Sequence, residues 1–180
     1  MLEGRVVGFL TDVTGVEDAE LAVPWQAVLA AGGRPVLVAP RAGRVLTVLD
    51  GAAPAGAYPV DRTLAQVCPD DLAMLVLPGG TLSCDALRMD PAAVALVRGM
   101  AEAGKPIAAA SHAPWLLIEA DVVEGKELTS FPSLATDIRN AGAIWVDEPT
   151  VVSERRYPLL TMRRADDLPA FTEALPRLAA

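Results

Sequence analysis

The chain has a single histidine, His112, which directly follows Ser111 in the segment AAASHAPW at residues 108–115. An apolar, strand-like run precedes this pair and a helix-like run follows it. Small residues two positions before and after the serine, Ala109 and Ala113, are typical of a nucleophile elbow, where a strand and a helix approach closely. The start of the following helix would then stabilise an oxyanion through its N–H groups and its partial positive charge.

A general serine-hydrolase mechanism fits this pair poorly. That mechanism needs a histidine well after the serine, whereas His112 is the next residue. Because adjacent side chains on a sharp turn diverge, we expect His112 to be badly placed as a direct base for Ser111. The structural alternative is that both residues only fill a tight turn between a strand and a helix.

The rest of the chain predicts the elements that position this turn. Apolar runs typical of buried parallel strands occupy residues 5–12, 35–39, 72–77 and 106–110, with shorter strands at 128–130, 144–146, 150–152 and 159–162. Helical patterns occupy residues 17–31, 91–103, 133–140, with Ser133 as the cap, and 166–178. Residues 43–64 predict a small antiparallel excursion with its turn at 51–57. We therefore expect one domain over residues 1–180, an α/β sandwich with a mainly parallel sheet.

Three strand ends in this pattern carry chemically useful groups. They are the segments 12–17, 78–85 and 111–112, which supply a carboxylate, a glycine pair and the Ser-His pair. Ligands of such sheets bind beyond the carboxyl ends of the strands, so these groups are expected on one rim. Gly79 and Gly80 lack a Cβ and would bring a backbone N–H close to a bound molecule. Together with Ala113, they are the residues expected to bind substrate or an oxyanion.

The acidic residues near this rim also have structural interpretations. Thr14 and Glu17 match a T-x-x-E capping box, in which Glu17 would bond back to the helix start. Asp18 and Glu20 are predicted to be solvated acids of the first helical turn. Asp85 could equally cap a helix.

Composition and charge exclude several classes of protein. The net charge of −8 leaves no basic patch for nucleic acid or for an anionic membrane surface. No apolar run approaches the roughly 20 residues of a membrane span, and the N-terminal segment lacks a signal-peptide pattern. Cys68 and Cys84 predict reduced thiols in a cytoplasmic protein, and one histidine with two scattered cysteines makes a metal site unexpected.

Several segments together resemble the DJ-1/PfpI superfamily, and its PfpI-like branch in particular. The matching segments are GVEDAELAVPW (15–25), LVLPGG (75–80), GKPIAAASHAPWLLIEA (104–120), GKELTSFPSL (125–134), DIRNAGAIWVDE (137–148) and DDLPAF (166–171). They follow the family order over nearly the whole chain. The resemblance implies a flavodoxin-like sandwich, no cofactor, and assembly as a homodimer or hexamer.

The resemblance also implies site residues. Ser111 occupies the position of the family's nucleophilic cysteine, His112 that of its histidine, and Ala113 that of a glycine. Glu17 falls on the carboxylate that hydrogen-bonds the nucleophile, and Asp85 falls near an acid that reaches the histidine of a neighbouring subunit. Ser111 is either a natural divergence or an engineered replacement of cysteine, and the departure at Ala113 favours divergence.

The family's activities give three functional hypotheses. The first is an enzyme, a hydrolase or lyase, acting on a small electrophile such as methylglyoxal or an isonitrile-like compound. Glu17 would supply the acid–base chemistry if burial raises its pKa. The second is a catalytically disabled binding or stress-related protein, since a serine lacks the thiolate character of a cysteine at this position. The third is an intracellular peptidase.

Overall fold

The computed structural model describes residues 2–178. In chain order the strands are β1 (Val6–Leu10), β2 (Thr14–Glu17), β3 (Arg34–Ala39), β4 (Arg44–Leu49), β5 (Ala53–Pro59), β6 (Arg62–Thr63), β7 (Met74–Leu77), β8 (Ile107–Ala110), β9 (Glu127–Leu128), β10 (Ile144–Trp145), β11 (Thr150–Ser153) and β12 (Leu159–Met162). The helices are α1 (Asp18–Ala30), α2 (Thr81–Arg88), α3 (Pro91–Glu102), α4 (Pro114–Glu119), α5 (Ala135–Asn140) and α6 (Leu168–Leu178).

Seven strands form the central sheet in the order β11-β12-β8-β7-β1-β3-β6. All neighbours in it are parallel except β11 and β12, which pair antiparallel at one edge. This confirms the predicted α/β fold with a mainly parallel sheet. The carboxyl ends of β8 and β7 are adjacent at the centre of the sheet, which brings the Ser111 turn beside the glycine pair.

Side chains that alternate along the strands build a core on each face of the sheet. Leu75 of β7 faces a core that includes Val97 of α3 and Leu116 of α4. Val76, the next residue, faces the other core, which includes Phe171 of α6. Because the strands are apolar on both faces and helices cover both, the sheet is the middle layer of a three-layer sandwich.

The predicted excursion is a second sheet, and its turn lies earlier than the sequence indicated. Strands β2, β4 and β5 form it, with β4 and β5 antiparallel. The turn is Asp50-Gly51, with φ values of 51° and 78°, and Ala52 N–H donates to Leu49 O at 3.2 Å. Two positive φ values are typical of the two-residue turn that matches strand twist, so β5 already begins at Ala53.

Helix boundaries test the predicted caps. The Asp90-Pro91 pair predicts a cap followed by a proline at the first helical position, and Asp90 does cap α3: its carboxylate accepts hydrogen bonds from Ala92 N and Ala93 N at 2.8 and 3.3 Å. The Ser133 cap is wrong, because Ser133 lies inside a 3-10 turn and α5 begins at Ala135 without a side-chain cap. Helix α2 was not predicted. Within residues 2–178, no helix is long and apolar enough to cross a membrane.

Candidate active site

A cavity of about 330 Å³ opens at the carboxyl ends of the central strands. Its volume is at the lower end of the range of small-molecule sites, about 300–1,000 Å³. The lining residues are Glu17, Glu20, Asp50, Gly51, Gly80, Thr81, Ser111, His112, Phe131, Arg164, Ala165 and Asp166. The predicted rim therefore exists, and it brings Glu17, Gly80, Ser111 and His112 together.

Ser111 lies on a strained turn directly after β8. Its φ is 55°, a left-handed conformation that costs a non-glycine residue about 1–2 kcal/mol. The surrounding backbone holds this conformation, because Ser111 N–H donates to Met162 O at 2.9 Å and Ser111 O accepts from Phe131 N at 2.8 Å. The serine is 4% exposed and borders the cavity. This is the local geometry of a nucleophile elbow.

Glu20 is the buried carboxyl group next to Ser111. It is 2% exposed, and its Oε2 accepts a hydrogen bond from Gly79 N at 3.0 Å. Burial and the nearby negative charge of Glu17 raise the pKa of Glu20 to about 7, against opposing hydrogen bonds from Gly79 and from the Ser111 side chain. The prediction that Glu20 is a solvated acid is therefore wrong.

The buried face of α1 explains this error. The helical pattern of residues 17–31 predicts one buried face of Leu21, Trp25, Val28 and Leu29. The buried residues of α1 are instead Glu20, Leu21, Pro24 and Val28. Glu20 precedes Pro24 and Val28 by four and eight residues, so all three lie on one side of the helix. That spacing was the available signal for a functional acid at position 20.

Glu17 lines the cavity but has another partner. Its Oε1 accepts a hydrogen bond from Gly51 N at 2.6 Å, so the carboxylate holds the tip of the β4–β5 hairpin. The carboxyl group hydrogen-bonded to Ser111 is that of Glu20, which corrects the position expected for the nucleophile's partner. The capping box of Thr14 and Glu17 does not form, because both residues belong to strand β2 and α1 begins only at Asp18. Asp18 is half-buried rather than free in solvent, and its Oδ1 accepts hydrogen bonds from Thr47 and Tyr58.

His112 is closer to Ser111 than the sequence indicated. Its Nδ1 lies 3.1 Å from Ser111 Oγ, and its Nε2 lies 3.4 Å from Thr81 Oγ1. The ring stacks on Phe131 with centroids 4.6 Å apart, which fixes its orientation. The expectation that the two side chains diverge is therefore wrong. Burial lowers the pKa of His112, which favours the neutral imidazole.

These contacts form a chain of hydrogen bonds with two consistent proton arrangements. When Glu20 is ionised, Ser111 donates to it, His112 Nδ1–H donates to Ser111, and Thr81 donates to Nε2. When Glu20 is protonated, every donor in the chain reverses. Because the pKa of Glu20 is raised to about 7, its carboxyl group can exchange a proton near neutral pH.

The predicted oxyanion donors are mostly occupied by other bonds. Gly79 N–H donates to Glu20, and Ala113 N–H donates to Ala110 O at 2.8 Å. Helix α4 begins at Pro114, which has no N–H, and Trp115 N–H donates to His112 O at 3.1 Å. The expected roles of Gly79, Ala113 and the helix start as donors are corrected, and Gly80 is the predicted donor that lines the cavity.

Gly79 has a packing role instead. A Cβ at this position would lie 2.2 Å from Glu20 Oε2 and 2.8 Å from Ser111 Cβ. Because Gly79 has no side chain, the Glu20 carboxyl group and Ser111 can both pack closely against it.

Asp85 does not lie in the cavity. It is on α2, exposed, and its Oδ1 lies 3.3 Å from Arg88 Nε. Its contact with a neighbouring subunit stays a prediction. Cys84 is buried, and burial raises the pKa of its thiol, which makes it a poor substitute nucleophile. No cluster of three or more potential metal ligands occurs within residues 2–178.

Comparison with known proteins identifies the family. The DJ-1/PfpI family model matches residues 5–177, and the chain belongs to this family. Protein/nucleic acid deglycase 2 of Escherichia coli K12 is 38% identical over 165 residues, which cover 91% of this chain and 92% of that protein. General stress protein 18 of Bacillus subtilis is 34% identical over 155 residues, covering 86% and 87%.

Comparison with solved structures agrees with this family assignment. A crystal structure of a two-domain protein from Anabaena variabilis, with DJ-1/ThiJ/PfpI-like and ferritin-like domains, superimposes with a TM-score of 0.87 at 32% identity. The match covers 97% of this chain and 48% of that one, so this chain spans about half of the two-domain protein.

Proposed function

We propose that this protein is an enzyme that acts without a cofactor on a small electrophile, either a reactive carbonyl such as methylglyoxal or an isonitrile-like compound. The observation that carries the proposal is the Glu20 carboxyl group, which is buried beside Ser111 and has a pKa of about 7. The deglycase name of the Escherichia coli relative supports a carbonyl substrate. The small cavity supports a small molecule.

Glu20 carries the acid–base chemistry in this proposal. As a base, it takes a proton from the Ser111 hydroxyl or from a bound water while that oxygen attacks the electrophilic carbon. As an acid, it returns the proton when the adduct breaks down. His112 orients Ser111 and passes a proton along the same chain, and Gly80 lies where a developing oxyanion would be received.

The serine at position 111 determines the rate that we expect. The proposed reaction is that of a hydrolase or a lyase. A serine hydroxyl needs a base to attack, whereas a cysteine at such a turn is already partly ionised. Since Glu20 is that base, removing its charge should remove the activity.

The test is turnover of methylglyoxal and of an alkyl isonitrile by the purified protein and by Glu20→Gln. Glutamine keeps the acceptor for Gly79 N–H but cannot exchange a proton, so we expect a loss of about a hundredfold or more in kcat. Glu102→Gln, an exposed carboxylate at the end of α3, is the matched control. Equal rates for Glu20→Gln, or no turnover of any small electrophile, would contradict the proposal.

A catalytically disabled binding or stress-related protein is the second candidate, favoured by Ser111 itself and by the name of the Bacillus subtilis relative. Here Ser111→Cys is decisive, because the elbow and Glu20 are already in place. Aldehyde turnover by Ser111→Cys that is absent from the parent chain supports this second function. Turnover by the parent chain rejects it.

A further inference from the structure

One guanidinium group that lines the cavity has no side-chain partner among the residues that the structure describes. Arg164 lines the cavity, is exposed, and makes no hydrogen bond or ion pair with its side chain among residues 2–178. Neither the acid–base chain nor the packing of the described residues uses its charge.

The contacts of the adjacent Arg163 show how the backbone of Arg164 is held in place while its side chain pairs with none of residues 2–178. Arg163 pairs with Asp147 at 2.8 Å and with Asp167 at 3.1 Å, and Asp167 N–H donates to Arg164 O at 2.9 Å. These contacts fix the backbone on both sides of Arg164. The segment follows β12, whose Met162 accepts the hydrogen bond from Ser111 N–H, so it is anchored to the elbow.

The other charged groups that line the cavity determine where an anionic part of a substrate would bind. The other ionisable acid and base groups that line it are His112 and four carboxyl groups, Glu17, Glu20, Asp50 and Asp166. Carboxylates repel an anionic group, so among the charged side chains that line the cavity Arg164 is the one that attracts such a group. A guanidinium binds carboxylate and phosphate oxygens through a planar fork of donors.

We propose that Arg164 is a specificity-determining residue that selects substrates carrying a carboxylate or phosphate group and orients them with that group at Arg164 and the electrophilic carbon toward Ser111. This inference rests on the proposed function and names the substrate class of the same site. A neutral electrophile would enter without this orientation.

The activity test compares matched substrates. Glyoxylate is compared with methylglyoxal for a carboxylate, and glyceraldehyde 3-phosphate with glyceraldehyde for a phosphate. In Arg164→Gln, the ratio of kcat/KM for the anionic to the neutral member should fall about fivefold or more for at least one pair, with Arg164→Lys intermediate. Arg41→Gln, which removes the same charge from an exposed loop, should leave both ratios unchanged.

A binding test separates this inference from the proposed function. Glycolate and inorganic phosphate are titrated into the protein, and the backbone amide NMR signals of residues 164–166 are followed. At least fivefold weaker binding to Arg164→Gln supports the inference even if no substrate is turned over. Equal binding to both proteins, no binding to either, or unchanged substrate ratios in an active Arg164→Gln protein would overturn it while leaving the Glu20 test to decide the proposed function.

Discussion

A carboxyl group serves as both acid and base at neutral pH when its pKa lies near 7. Burial brings Glu20 to that value, and the charge of Glu17 adds to the effect. The two glutamates therefore have different roles. Glu20 contacts the Ser111 hydroxyl, whereas Glu17 acts on Glu20 through its charge and holds the Asp50-Gly51 turn through a hydrogen bond.

The charge of Glu17 can be removed without removing its hydrogen bond. In Glu17→Gln the amide oxygen still accepts from Gly51 N–H, but the nearby negative charge is gone, so the pKa of Glu20 should fall. We expect the acidic limb of the kcat/KM profile to move to lower pH by roughly one unit. An unchanged profile in Glu17→Gln, with turnover intact, would show that the two carboxyl groups do not interact.

Protonation of Glu20 also links stability to pH. Its pKa is about 7 when folded against 4.5 as the reference for the unfolded chain, so the folded state binds more protons between these values. The free energy of unfolding should therefore fall as pH rises from 4.5 to 7, by on the order of 3 kcal/mol from this group. Urea unfolding of the parent chain and Glu20→Gln across this range measures the difference, and parallel curves for the two proteins would contradict it.

The elements that meet at Gly79 set the geometry of the acid–base pair. Gly79→Ala places a methyl group against Glu20 and Ser111, so we expect a loss of about 2 kcal/mol or more in the free energy of unfolding, together with the loss of turnover. Gly104→Ala is the control, because its φ is 68° but, apart from its chain neighbours, no atom of residues 2–178 lies within 4 Å of the added Cβ. It should cost about 1 kcal/mol and leave turnover intact. Equal effects of the two substitutions on turnover would contradict this role of Gly79.

The same elements show what a sequence can predict. The buried strands were predictable because parallel strands covered on both faces are continuously apolar. The Ser111 turn was predictable because its flanking residues are small. The identity of the acid was not, because a helical glutamate faces solvent by default and only the glycine loop after β7 supplies the N–H that makes its burial acceptable. Helix α2 was missed because it begins directly after that loop.

At the scale of the whole molecule, α2 exposes apolar side chains beside Asp85. Leu82 on α2 is 63% exposed and Met89, directly after α2, is 75% exposed, and large exposed apolar side chains favour association. We propose that this face is covered in a homodimer or hexamer, in which Asp85 reaches the neighbouring subunit.

Sedimentation velocity at micromolar concentration tests the assembly. The parent chain should sediment as a dimer or hexamer, and Met89→Asp should shift it toward monomer because it places a charge in the apolar contact. Leu29→Asp, at an exposed apolar position of α1, is the matched control and should leave the assembly intact. A parent chain that is only monomeric would remove Asp85 from the site.

Titration of Glu20 itself tests the central claim without knowledge of the substrate. Carboxyl-carbon NMR of protein labelled at glutamate would follow every glutamate side chain with pH, and the resonance that disappears in Glu20→Gln identifies the residue. A midpoint near 7 for that resonance is the predicted result. A midpoint close to the ordinary value of 4.5 would contradict the account, because Glu20 would then be a much weaker base for the Ser111 hydroxyl than a carboxylate with a pKa near 7.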